Sequence, residues 1–276
     1  YNDSYFSAGK LAWLLQEVPG VRARAEAGEL ACGTIDSWLL WNLTGKRTHL
    51  TDHSCASRTA LFNLEKLAWD GELCAILGIP LSLLPEAVAS DAEFGTIDPA
   101  LIGADAPVRG VLADQQASMY GQACFASGSA KNTFGTAGVL NVNCGPHPLL
   151  VDGLTCSVGW TAGSKTCYEL EGVVFSSGQT LDWLRERLGL LADVAEIDAL
   201  AASVPDTAGV YLVPAFSGLC APYWDRRARA SLTGMTLETT RAHIVRAALE
   251  SMAYLTVDNI RAAERGGLAL HELKVD

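Results

Sequence analysis

With 276 residues, 49% of them hydrophobic and 18% charged, the chain is long enough for two domains with sizeable buried cores. Its formal net charge of −11 and pI near 4.9, without any cluster of Lys and Arg, exclude a nucleic-acid or anionic-membrane surface as the main partner. An anionic small ligand stays open, because backbone amides bind phosphate without a basic patch. The eight cysteines are scattered, with no CxxC pair and no His at zinc spacing, which predicts buried free thiols in a reducing compartment. Cys156 and Cys167 are placed on facing strands. No leader-like segment and no apolar run of bilayer length occurs, so a soluble cytoplasmic protein is expected. The chain starts at Tyr1 and stops at Asp276, directly after a strand-like stretch. The expectation is a piece of a longer protein, cut inside folded structure at both ends.

In chain order, Phe6–Gln16 has the period of an amphipathic helix, with Ser7 as N-cap and Leu11, Leu14 and Leu15 available for a core. Tyr5 just before it either staples onto the helix or walls a pocket. A second helix starts at Ile35-Asp36-Ser37 and ends near Thr44-Gly45. His49–Thr51 reads as a short strand and Asp52–Arg58 as a polar loop, with Arg58 its buried anchor rather than a substrate clamp. Leu73–Leu77 is helical, Pro85–Ala89 extended, and Glu93–Leu101 a small hairpin. Pro107 closes this half, and the domain boundary is placed there: 1–112 and 113–276.

The central stretch is Val108–Asn143. It predicts a strand at Val108–Ala113, then Asp114, then a helix from Gln115 to Cys124. A Gly/Ser turn, a strand, the small-residue loop Gly135-Thr136-Ala137-Gly138 and another strand follow. Ligands of open α/β sheets gather at carboxyl ends of strands. Asp114 sits at such an end and is either an N-cap or a group that handles a hydroxyl. Beyond it, Gly153–Gly163 and Lys165–Glu171 read as a hairpin. Gly178, ahead of the helix Gln179–Leu188, is either a tight turn or a point where phosphate or ribose meets backbone. A helix at Ala192–Ser203, strands at Val210–Pro214 and Ala230–Met235, and a Gly-, Pro- and aromatic-rich loop at 215–225 come next. The longest helix, Arg241–Arg265, is capped by Thr239 or Thr240 and stopped by Gly266-Gly267. A strand at Leu270–Val275 ends the chain. His243 and His271 have no partners at metal-ligand spacing.

Several of these stretches together resemble the FGGY carbohydrate kinases of the actin/hexokinase/Hsp70 superfamily. Tyr5-Phe6-Ser7-Ala8-Gly9-Lys10-Leu11-Ala12-Trp13-Leu14 is similar to that family's first signature. Ala230–Met235 followed by His243–Glu250 is similar to its second. Gly33–Trp41, Ala56–Asn63, Ala113–Ala117 and Pro214–Gly218 are similar to motifs of the members that act on glycerol. The resemblance implies an α/β, actin-like ATPase (ribonuclease H-like) fold with two domains flanking a cleft, both incomplete in this chain. It implies ATP-dependent phosphorylation of glycerol to sn-glycerol 3-phosphate by the intact protein, with ATP and Mg²⁺ required, a small-molecule partner and homo-oligomers. By resemblance, Asp114 is the general base, Gln115 a glycerol contact and Tyr5 the aromatic residue beside the polyol. Thr136 and Gly178 match positions that hold nucleotide phosphates and ribose. Val139 stands where such kinases place Phe against the glycerol carbons, and Asp182 where they often place Gln near the nucleotide. Cys220 replaces a usual Gly. The family's N-terminal phosphate loop and metal-associated Asp find no counterpart in the chain, which supplies no metal ligand and on its own is expected to be inactive. Another polyol or sugar (xylulose, erythritol), or a non-catalytic actin-like fragment, remain the alternatives.

Overall fold

A computed structural model describes residues 5–276, which fall into two compact units. The first comprises residues up to Ala123 with 144–149 and 157–169; the second comprises 124–143, 150–156 and Leu170–Asp276. Asp114 and its whole helix therefore lie in the first unit.

The first unit is built from short elements. They are α1 (Ser7–Glu17), α2 (Val21–Glu26), α3 (Ile35–Leu43), β1 (Leu50–Asp52), α4 (His53–Ser57), β2 (Phe62–Asn63), β3 (Ala68–Trp69) and α5 (Gly71–Ile76). After these come β4 (Glu86–Val88), β5 (Thr96–Ile97), α6 (Pro99–Ile102), β6 (Ala106–Pro107) and α7 (Asp114–Gly121). β1 and β4 pair in parallel, with Thr51 opposite Ala87. Leu15 of α1, Ala25 of α2, Leu61, Cys74 and Leu83 make one apolar core, whereas Leu14 is 42% exposed and outside it.

Four local expectations are corrected. α1 is entered through Phe6, not Ser7, and no side chain caps it. Asp52–Arg58 is not a loop: Asp52 caps a helix by accepting from the N–H groups of Ser54 and Cys55. The presumed hairpin at Glu93–Leu101 is a β5–β6 pairing with α6 inserted, in which Thr96 faces Pro107. Val108–Ala113 joins no ladder. Pro107 and Gly110 interrupt it, and it is pinned instead by Val108 N–H to Gly95 O (2.8 Å) and Val111 N–H to Ser90 O (3.0 Å).

The chain's largest sheet has the order β13-β7-β8-β10-β9, formed by β7 (Ser129–Phe134), β8 (Gly138–Gly145), β9 (Thr155–Ala162), β10 (Lys165–Val174) and β13 (Glu272–Val275). β7 and β8 are antiparallel, with Phe134 opposite Gly138 across the turn, while β13 runs parallel to β7. The second unit also contains α8 (Gly178–Glu186), α9 (Ile197–Ala202), β11 (Tyr211–Val213), β12 (Ser231–Thr233) and α10 (Arg241–Arg265). Leu184, Ile197, Leu212 and Val245 from four of these elements, with Val210 just ahead of β11, form its apolar core. Thr240 and His243 complete a capping box at the start of α10, where Thr240 was one of two candidates. Among the described residues all eight cysteines are free, and no helix is long and apolar enough to cross a membrane. Burial pushes the Cys32 thiol up to about 11 and raises those of Cys55 and Cys167 further, which disfavours thiolate chemistry there.

Candidate functional site

In the first unit α7 presents Asp114 as its first residue, so the N-cap is Ala113 and, of the two readings of Asp114, the cap is not the one found. The carboxylate is exposed, and its Oδ1 accepts only from the adjacent N–H of Gln115 (2.8 Å) among the described residues. It is thus available to a ligand. The position of this turn is set by groups far away in sequence. Ala113 N–H donates to Ser54 Oγ (2.9 Å), and Ser54 Oγ donates to Asp52 Oδ1 (2.8 Å). Ser90 Oγ donates to Asp52 Oδ2 (2.8 Å), and the Ser90 carbonyl holds Val111. Asp52, fully buried, is therefore the hub that fixes the segment leading to Asp114. Sequence reasoning missed it. An Asp two residues before a Ser is the only signal, and it was assigned to a loop. Asp52→Ala orphans two backbone and two hydroxyl donors, and should cost about 3 kcal/mol, read as a fall in the thermal midpoint of the intact protein.

Asp52, Asp36 and Cys55 place ligand-type atoms within 4.8 Å of one another. Their oxygens are already engaged. Asp36 accepts from Thr34 and from Thr51 (2.6 Å), and Asp52 from four donors. The cluster reads as a hydrogen-bonded core and does not fit a resident metal.

Next to the hub, His53 is buried, with Nδ1 3.1 Å from Thr161 Oγ1. Burial lowers its pKa below the usual imidazole value, against the pull of Asp52. The stabilising contribution of a neutral His53 is complete above pH about 6.5 and is lost as pH falls toward the lowered folded-state value. Unfolding midpoints should therefore drop between about pH 7 and pH 5, and His53→Gln should flatten that slope.

Tyr5 lies in the same unit, 42% exposed as a residue, its ring edge-on to Phe6 at 5.3 Å between centroids. Gln115 is half-buried.

The second unit brings together Thr136, Gly178 and Asp182. The loop 135–138 folds onto the start of α8: Gly178 N–H donates to Gly135 O (2.9 Å), and Ser177 and Gln179 N–H donate to Thr136 O (3.1 and 3.3 Å). A Cβ on Gly178 would lie 2.8 Å from Gly135 O, so only glycine allows this approach. The helix-start amides are thus used to hold the loop and are not free for an anion. The groups left over are the Thr136 hydroxyl, on an exposed residue and without a hydrogen bond among the described residues, and the buried hydroxyl of Ser177, which faces Gly138 and has no partner there. Thr136, Asp182, Trp183, Arg187 and Phe216 line an open pocket of about 370 Å³. Trp183 and Phe216 pack at a tilt of 52° with centroids 4.8 Å apart, giving it an aromatic wall. Asp182 is bound to Arg185 at 3.0 Å. Val139 does not line this pocket; it is nearly buried and packs with Val173 and Cys220 beside Trp224. Trp224 is anchored by its Nε1 donating to Gly153 O (2.8 Å), so in the aromatic loop Trp224 is packing and Phe216 is pocket wall.

Residues 1–121 match the N-terminal domain, and residues 130–276 the C-terminal domain, of the FGGY family of carbohydrate kinases. A glycerol kinase of Aromatoleum aromaticum is 53% identical over 99% of this chain, which covers 56% of that protein. The crystal structure of Plasmodium falciparum glycerol kinase with ADP superimposes with a TM-score of 0.90 at 36% identity, over 100% of this chain and 56% of that one. A xylulose kinase of Rhodospirillum rubrum gives 0.81 at 27%, over 98% and 54%. The chain spans about half the length of the relatives it matches.

Proposed function

Since this chain belongs to the FGGY family of carbohydrate kinases, with their actin-like ATPase fold, we propose that the intact protein transfers the terminal phosphoryl group of ATP to a terminal hydroxyl of glycerol. The observation that carries this reading is Asp114: an exposed carboxylate on the first turn of a helix whose entry is locked by the buried Asp52. A polyol hydroxyl is far too weak an acid to give up its proton fully to a carboxylate before attack. The carboxylate instead orients the hydroxyl and accepts its proton as the bond to phosphorus forms. Gln115 and the Tyr5 ring hold the polyol, and alignment supplies most of the acceleration.

In the second unit, the Thr136 hydroxyl supplies a donor for the nucleotide's phosphates, and the Trp183–Phe216 wall takes an apolar face of the nucleoside. Asp182 sits at its rim. Mg²⁺ bound with the nucleotide's phosphates would supply positive charge to the transferring group. The cytoplasm, where ATP is supplied, is the compartment this chemistry requires, and assembly of the intact protein into homo-oligomers is part of the same reading.

The competing reading is another polyol or sugar as acceptor. It is favoured by Val139, a smaller side chain than the Phe expected there, and by the likeness to the xylulose kinase. An acceptor panel of glycerol, erythritol and xylulose, scored by kcat/KM with the intact protein, tests the choice. Glycerol should lead by at least about tenfold, a margin set by a few well-placed hydrogen bonds. A higher value for xylulose or erythritol refutes glycerol.

A further inference from the structure

The notional polyol contacts of the first unit, Tyr5 and the start of α7, are joined by a chain of side chains with no role yet assigned. The Arg58 guanidinium lies over two rings, 6.0 Å from the centroid of Tyr5 and 5.9 Å from that of Phe6. Its Nη1 donates to Ser157 Oγ at 3.3 Å. Ser157 Oγ in turn donates to Glu169 Oε1 at 2.9 Å, and the same oxygen accepts from Gln116 Nε2. Gln116 and Glu169 are both buried, and Gln116 is on the first turn of α7, two residues after Asp114.

A fully buried carboxylate is costly to keep, and simple packing does not require one. At this place it grips the helix that presents Asp114. At the other end, a cation under one part of an exposed aromatic ring restricts that ring without covering it. An unsupported Tyr at a helix entrance, 42% exposed, has several rotamers open to it. The Arg also excludes a simple swap for Lys, because a planar guanidinium can stack on rings and donate in its plane at once.

We propose that Arg58 is a positioning residue for the acceptor: through Ser157, Glu169 and Gln116 it sets the Tyr5 ring against the α7 turn, and so tunes acceptor affinity rather than the chemical step. This rests on the reading of Tyr5 and Asp114 as the acceptor site. Arg58 was expected to be a loop anchor, and its exposure is intermediate, but its contacts lead to the site.

The test uses the intact protein and four variants: Arg58→Met, Arg58→Lys, Ser157→Ala and the Arg58→Met/Ser157→Ala double. Arg58→Met should raise KM for glycerol about tenfold, with kcat within about threefold and KM for ATP unchanged. Arg58→Lys should recover part of that rise. Ser157→Ala should raise KM about threefold, and its effect should largely vanish on top of Arg58→Met, because the link is already cut. If KM for glycerol stays constant while kcat and the thermal midpoint fall together, Arg58 is structural and the proposal is overturned. Additive effects of the two substitutions overturn it as well. Should Arg58→Met fail to fold, Ser157→Ala, which deletes one hydroxyl, decides by the same KM criterion. A parent protein that does not phosphorylate glycerol overturns both this proposal and the reading it rests on. A parent that does, with Asp114→Asn inactive and KM unmoved by Arg58→Met, sinks the proposal alone.

Discussion

Asp114→Asn should lower kcat for glycerol phosphorylation by the intact protein about a thousandfold, the middle of the range that a positioned general base contributes. The substitution is close to isosteric, and an Asn Oδ1 can keep accepting from Gln115 N–H, which is the carboxylate's hydrogen bond here. Since the side chain is exposed, the thermal midpoint should stay within the range of ordinary surface changes, about 0.5 kcal/mol. That combination separates a chemical role from a structural one. The contrast with Asp52 sharpens it: the buried carboxylate should cost stability first, and activity through it, whereas the exposed one should cost activity alone.

Gly178→Val should have the second large effect, on the nucleotide. A Cβ at that place comes within 2.8 Å of Gly135 O and 3.4 Å of the Gly135 carbonyl carbon, both backbone atoms that no rotamer change can move. The loop must lift from the start of α8, breaking its hold through Gly178 N–H and displacing Thr136. Overpacking of this kind costs about 1–3 kcal/mol. If half of that falls on the loop, affinity for ADP drops by about two- to tenfold, measurable by calorimetric titration. Unchanged ADP affinity in a folded Gly178→Val protein would show that the loop takes no part in holding phosphates.

How much of this was legible in the sequence depends on how local each determinant is. α10 was readable to the residue, because a Thr cap, a long apolar stripe and a Gly-Gly stop all lie within the element itself. α4 was not. His53–Ser57 is five residues without an apolar period, and it forms because Asp52 caps it and Ser54, Cys55 and Ala56 are buried by the rest of the unit. Leu14 was misassigned to the core for a related reason: the helical period allowed it, and tertiary packing chose Leu15. At the candidate site, the motif marked Asp114, yet the hydrogen bond that fixes its helix spans 59 positions, from Ala113 to Ser54. Gly178 showed the same pattern. The sequence left a tight turn or a ligand's approach open there, and only the fold shows the backbone neighbour, Gly135. The Arg58–Glu169 chain could not be seen at all, since its four members are separated by up to 111 positions and carry no shared motif.

Steady-state loss in Asp114→Asn does not by itself say which step fails, so one measurement bears most directly on the central claim. A single turnover of γ-labelled ATP is followed by rapid quench in the parent and in Asp114→Asn, with glycerol affinity titrated in the same samples. The account predicts a transfer rate lower by about a thousandfold at a glycerol dissociation constant within about threefold of the parent's. Transfer at the parent's rate, or a loss traced wholly to weaker glycerol binding, would contradict it.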